Sequence, residues 1–235
     1  MDSSSNNILE IDDFLSVEDR KCLMDYYDRS YKRRLANHSF WDNRVLQSRR
    51  LTNRKVRRVI EAIQHRVVVA CCKYYDEEYV YPEHTNVVTW RGGMELKPHV
   101  DNMHIYHPHM KHDTPHRDYS SIIYLNDDYE GGYTIFPDQN YDSIPKAGKL
   151  IVFPSGRSHP HGVTEVTSGV RYTMAMWFTK QRQHLSHTNY VRNPFIIPFI
   201  EGGRDFYVLN KRLLTKIKEG IILLTRRNNF NDRRH

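Results

Sequence analysis

The chain has 235 residues, enough for one substantial core, and 39% of them are hydrophobic. Its 35 Lys and Arg against 28 Asp and Glu give a net charge of +7, too moderate and too interspersed with acids to define a nucleic-acid binder. No apolar run is long enough to cross a bilayer, and three cysteines, Cys22, Cys71 and Cys72, make no disulfide framework.

Residues 1–7 are polar and expected to fray. Ile8 to Leu15 reads as a short extended segment, and Ser16 with Asp19 three later is a helix-start signal. The helix that follows is expected to run to about Arg33 and to bury Leu23, Met24 and Tyr27. Residues 35–50 lack a sustained period and read as a loop with a short strand. Thr52 is the expected N-cap of a second helix, in which Val56, Ile60, Ile63 and Val67 fall at helical spacing, ending near Tyr75. Arg49, Arg50 and Arg54 to Arg58 read as a solvated face.

From Tyr79 the texture changes to short apolar or alternating runs: NVVTW, KPHVD, SSIIYL, YTIF, KLIVF, GVTEV and RYTMAMWF. Gly, Pro, Asn and Asp punctuate them, as in Asn126 to Asp128 and Glu130 to Gly132. This predicts a mainly β fold with flanking α, a double-stranded β-helix (jelly roll) supported by N-terminal helices and a C-terminal helix. Leu209, Leu213, Ile217, Ile221 and Leu224 mark that last helix. One domain is expected over 1–235, with helical support about 8–78, the jelly-roll core about 79–180 and a C-terminal helical extension 181–235. The N-terminus has no basic segment followed by an apolar one, and the C-terminus carries no retention or lipidation signal, so the expected location is cytoplasmic.

The chemistry concentrates between Lys97 and Trp177. In an extended segment His99 and Asp101 point to one face, where both can reach a single metal ion. A downstream histidine would complete a two-His, one-carboxylate face with open positions, the set that suits non-haem Fe(II). His-x-Asp alone is a weak pattern. It is strengthened by Arg171, which the alternation of RYTMAMWF places on one face with Thr173, Ala175 and Trp177. A guanidinium buried inside a barrel needs an anion, no acid in that strand supplies one, and a dicarboxylate co-substrate would. Tyr124 and Ser120 share a face of SSIIYL and offer hydroxyls to the same carboxylate. The histidines between His104 and His116 have no fixed ligand spacing and read as a substrate-facing lid rather than a second metal site.

The runs HVDN, RDYSSIIYLNDDYEGGYTIF, IPKAGKLIVFPSG and PHGVTEVTSGVRYTMAMWFT, in that order over about residues 85–180, resemble the catalytic domain of 2-oxoglutarate- and Fe(II)-dependent prolyl hydroxylases. They are most similar to the prolyl 3-hydroxylase branch. The resemblance implies that His99, Asp101 and His161 hold iron. Arg171 would bind the distal carboxylate of 2-oxoglutarate with help from Tyr124, and Trp177 would line the same pocket. His159 becomes a neighbour at the substrate mouth, and Asn102 a candidate for fixing the imidazole tautomers. It also implies a dioxygenase that uses O2 and Fe(II), with ascorbate (vitamin C) as reductant, and converts 2-oxoglutarate to succinate and CO2 while hydroxylating prolyl residues of a protein or peptide.

The alternatives are the same chemistry on a lysyl residue, a free amino acid or nucleic acid, or a non-catalytic binding protein on the same fold. Nucleic acid is disfavoured, because the second arginine close after Arg171 that is typical of the base demethylase family is missing between Thr173 and Thr179. A membrane partner is not expected. The sequence sets no oligomeric state.

Overall fold

The architecture follows from where apolar side chains repeat every second residue and where they repeat at helical spacing. The computed structural model describes residues 6–34, 40–107 and 109–185. A short strand, β1 (Leu9–Ile11), leads into helix α1 (Val17–Arg29). Ser16 caps α1 by accepting a hydrogen bond from the Asp19 amide at 3.1 Å, and Glu18 and Asp19 complement the positive end of its dipole. The helix stops at Arg29, four residues before the expected end, where Ser30 leaves helical geometry and a 3-10 turn (Tyr31–Arg33) follows. Leu23 and Tyr27 are buried; Met24 is only half-buried.

After β2 (Val45–Gln47) comes helix α2 (Arg54–Tyr75). Its cap is Asn53, not Thr52: Asn53 Oδ1 accepts from the Lys55 and Val56 amides at 2.9 and 3.3 Å, while Thr52 faces Tyr26. The stripe Val56, Ile60, Ile63, Val67 is buried as its spacing predicts, and each such side chain contributes about 1.5–3 kcal/mol on leaving water.

The rest of the described chain is β: β3 (Tyr81–Arg91), β4 (Leu96–His99), β5 (Tyr119–Tyr124), β6 (Glu130–Gly131), β7 (Thr134–Phe136), β8 (Tyr141–Ser143), β9 (Leu150–Pro154), β10 (His161–Val163), β11 (Val166–Ser168) and β12 (Val170–Thr179). They form a six-stranded sheet in the order β1-β9-β5-β12-β3-β2, a four-stranded sheet β4-β10-β7-β8 and a small pair β11-β6. All pairings are antiparallel. This is the mainly β jelly roll the alternating runs predict. GVTEV is divided, with His161–Val163 in the four-stranded sheet and Val166–Ser168 in the pair. Both edge strands of the large sheet, β1 and β2, come from the N-terminal part of the chain, so the helices are stitched to the sheet they cover.

The large sheet has two unlike faces. Val87, Ile123, Met174, Met176 and Phe178 point outward and pack with α1 and α2 into the main hydrophobic core. Gln64 of α2 secures this layer by donating to Thr85 Oγ1 at 2.6 Å. The inward face looks toward the four-stranded sheet across two smaller clusters, one around Trp90, Val88 and Val163 and one around Phe136, Ile151 and Phe153. The predicted helix marked by Leu209 to Leu224 lies outside the described residues. Among the described residues, no helix is long and apolar enough to cross a membrane.

Candidate metal centre and co-substrate cavity

A cavity of about 400 Å³ opens between the two sheets, and His99, Asp101, Ser120, His161, Arg171, Thr173 and Trp177 all line it. The metal set is assembled by strand register. His161 of β10 stands directly opposite His99 of β4, with the rings 4.5 Å apart between centroids. Asp101 follows two residues after the strand ends. His161 Nε2 lies 3.5 Å from Asp101 Oδ2 and His99 Nε2 lies 3.8 Å from Asp101 Oδ1. One ligand atom from each of the three falls within 4.8 Å of the others, and no other group of three is so placed among the described residues. The close approach of the strands depends on Gly162: a Cβ there would sit 2.6 Å from the Leu96 carbonyl oxygen.

Each imidazole is aimed by a backbone carbonyl two residues upstream, within β4 for His99 and just before β10 for His161. His99 Nδ1 donates to the Lys97 carbonyl and His161 Nδ1 to the His159 carbonyl, both at 3.1 Å. A carbonyl can only accept, so both Nδ1 atoms carry the proton and both Nε2 lone pairs are free to ligate. The carboxylate is held by Ser120 Oγ, which donates to Asp101 Oδ2 at 2.6 Å and is itself 2.7 Å from Ser155 Oγ.

The electrostatics suit a cation. Burial pulls the His161 imidazole down to about 4, against the opposing pull of Asp101, so it stays neutral. Burial pushes the Asp101 carboxyl up, but the neighbouring histidines and the Ser120 hydroxyl outweigh it and hold the group below the usual carboxylate range. Two imidazoles that present Nε2 to the cavity and one ionised carboxylate form the donor set that a hard to borderline divalent ion such as Fe(II) accepts.

Deeper in, Arg171 is 1% exposed and stands opposite Trp90 of β3. Its Nη2 donates to Thr134 Oγ1 at 3.2 Å and its Nη1 to Thr173 Oγ1 at 3.5 Å, while Nε has no partner among the described residues. A second buried cation, Arg44, lies with its guanidinium 4.5 Å from the centre of the Trp90 ring. Neither arginine pairs with a carboxylate among the described residues. A buried cation without a counter-charge is costly, and an incoming carboxylate would relieve that cost. The residues present therefore fit 2-oxoglutarate.

Four sequence expectations meet a different arrangement. The Tyr124 hydroxyl is committed to Thr134 Oγ1 at 2.7 Å and the Ser143 carbonyl at 3.2 Å, so Tyr124 touches Arg171 only through Thr134 and through its ring, 5.3 Å from the guanidinium. His159 is not at the mouth: it is 4% exposed, with Nε2 3.0 Å from the Asn6 carbonyl. Asn102 does not set the tautomers; its Nδ2 donates to the Arg117 carbonyl at 3.0 Å. Ser120 serves the metal carboxylate rather than Arg171.

Thr134 and Ser155, which no motif singles out, prove to be the connecting hydroxyls. At the mouth, the Arg117 guanidinium lies 4.1 Å above the Trp177 ring and pairs with Glu83 at 3.2 Å. From the histidine-rich loop, His112 reaches the cavity wall, and His116 stacks on His184 at 3.6 Å.

Residues 84–179 match the model of the 2OG-Fe(II) oxygenase superfamily. Human Prolyl 3-hydroxylase 2 is 47% identical over 68 residues, which are 27% of this chain and 10% of that protein, so the match spans about a tenth of the relative. A viral collagen prolyl hydroxylase from Paramecium Bursaria Chlorella virus-1 shares the fold with a TM-score of 0.54 at 19% identity, over 74% of this chain and 95% of that one. A Trichoplax adhaerens prolyl hydroxylase, solved with a hypoxia inducible factor peptide fragment, superposes with a TM-score of 0.58 at 17% identity, over 77% and 86%. The matched segment covers less than half of the chain and contains His99, Asp101, His161 and Arg171, so over this stretch the chain is similar to a 2OG-Fe(II) oxygenase domain.

Proposed function

We propose that this chain is a 2-oxoglutarate- and Fe(II)-dependent dioxygenase that hydroxylates prolyl residues in a protein or peptide. The observation that carries the reading is the joining, in one cavity, of the His99, Asp101, His161 face and a buried Arg171 that lacks a carboxylate partner among the described residues. Prolyl specificity draws its support from the relatives, which are named as prolyl hydroxylases and include one solved with a peptide.

In this reading His99, Asp101 and His161 hold the iron and Arg171 takes the distal carboxylate of 2-oxoglutarate. Bound together with O2, these groups supply oxidative decarboxylation of 2-oxoglutarate to succinate and CO2, coupled to hydroxylation of the substrate. The chain's own part is placement. Ser120 and the Lys97 and His159 carbonyls fix the ligand orientations, Thr134 and Thr173 fix the guanidinium, and the apolar walls formed by Val88, Val163 and Phe153 exclude water. Trp177 and Arg117 frame the opening through which the target ring enters. Ascorbate is the proposed reductant. The three free thiols, two of them buried and the Cys72 thiol pushed up to about 11 by burial, fit a reducing, cytoplasmic setting.

The test is mass spectrometry of a proline-containing peptide pool after incubation with the chain, Fe(II) and 2-oxoglutarate. A gain of one oxygen located on proline, with matching succinate, is expected. No succinate above background with any pool, together with no iron bound, would defeat the reading.

A further inference from the structure

Outside the cavity, one part of the described surface is a basic ledge. The sequence from Asn43 to Ile60 contains no acidic residue, and Arg49, Arg50, Arg54, Arg57 and Arg58 are all exposed. None of them makes an ion pair among the described residues. The ledge is built rather than loose. Arg50 Nη1 donates to the Arg34 carbonyl at 3.0 Å, which holds the basic turn Tyr31–Arg33 beside it, and Arg57 Nη2 donates to the Leu51 carbonyl at 2.8 Å.

Its position runs against what a helix prefers. The first turn of α2 has no acidic residue, whereas α1 begins with Glu18 and Asp19. Arg54, Arg57 and Arg58 place like charges at i, i+3 and i+4 near the positive end of the dipole; Glu61, one turn on, offsets Arg57 and Arg58 in part and leaves Arg54 at the first turn without an acid. An anion bound along this edge would offset the rest.

The ledge also reaches the cavity. Arg49 Nε donates to Gln47 Oε1 at 2.7 Å, and Gln47 lines the cavity. The 3-10 turn that carries Arg49 is fastened to β3 by the Thr85 amide, which donates to Ser48 Oγ at 3.1 Å. A chain leaving the mouth on this side would meet Arg49 first and then the start of α2.

We propose that this ledge docks an acidic stretch of the polypeptide whose target residue occupies the cavity. The proposal rests on the peptide-hydroxylase reading above and names the substrate class within it: a proline flanked on one side by several Asp or Glu residues. Phosphate of nucleic acid would be drawn to the same charges, and the test separates the two.

The full chain is titrated into labelled proline peptides that differ only in carrying an Asp/Glu run or the matching Asn/Gln run, with fluorescence anisotropy as the readout. The acidic peptide is expected to bind roughly tenfold tighter, the sum of several exposed ion pairs, and added salt should erase the difference. The Arg54→Glu, Arg58→Glu double variant should lose the preference. Its melting temperature should stay within a few degrees of the wild type, because an acid suits the helix start at position 54 while one at position 58 faces Glu61. Lys substitutions at both positions should keep the preference.

Equal binding of the two peptides overturns the proposal, as does displacement of the acidic peptide by a single-stranded oligonucleotide of equal charge at lower concentration. Measuring oxygen gain on the same peptides separates the two readings. Hydroxylation of both peptides without a binding preference defeats the ledge and keeps the prolyl reading. A binding preference without oxygen on any proline keeps the ledge and defeats the prolyl reading.

Discussion

Strand β12 compares two chemistries along one backbone. Its outward residues, Met174, Met176 and Phe178, are at most 1% exposed and belong to the main hydrophobic core under the helices. Its inward residues, Arg171, Thr173, Ala175 and Trp177, line the cavity, and Arg171 keeps an unpartnered Nε there. The outer face is satisfied within the protein. The inner face is not, and that incompleteness locates the function.

Substitutions on the two faces should therefore fail in different assays. Arg171→Ala is expected to weaken 2-oxoglutarate binding by about 2–5 kcal/mol, the loss typical of a desolvated charge pair. Calorimetric titration measures it, and unchanged affinity would remove Arg171 from the co-substrate site. Three positions away on the opposite face, Met174→Ala should cost about 2–5 kcal/mol of stability through the cavity it leaves. A shifted denaturant midpoint with unaltered 2-oxoglutarate affinity in the residual folded protein would sharpen the contrast; an equal loss of binding would break it.

A third effect appears in the metal-free chain as pH falls. The folded state holds His161 near 4, against an ordinary 6.5. Below 6.5 the unfolded chain takes up a proton that the folded chain refuses. Stability is thus complete above 6.5 and declines toward 4 by about 3 kcal/mol. Asp101, also held low, adds to the loss at still lower pH. Urea midpoints across this range should show the decline, and His161→Gln should flatten it. The smallest expected effect belongs to Ser120→Ala, which should lower Mn(II) affinity about 10–100-fold by freeing one oxygen of Asp101. An affinity matching the wild type would make the serine a bystander.

Much of this could be read in advance because it depends on local periodicity. Alternation in RYTMAMWF separated Arg171 from Met174 correctly, and the spacing of His99 and Asp101 placed both on the cavity wall. What escaped depends on contacts between distant strands. Ser155 and Thr134 are ordinary hydroxyl residues in sequence, and only the packing of β5 against β9 and of β12 near β7 brings them to Asp101 and Arg171. Nothing local to Tyr124 shows that its hydroxyl bonds to Thr134 Oγ1 and the Ser143 carbonyl. Thr52 and Asn53 both make good caps, and the backbone geometry of one residue decides between them.

The carbonyl grip on the two imidazoles bears on how the site comes into being. Lys97, on β4 itself, aims His99, and His159, in the turn just before β10, aims His161, each from two residues upstream, so orientation is set locally on each segment. Assembly then reduces to one event, the laying of β4 against β10. A slip of one residue would send a histidine to the opposite side of the sheet. Iron uptake should therefore act as a proofreader of strand register, rewarding the single alignment in which two pre-aimed ligands meet.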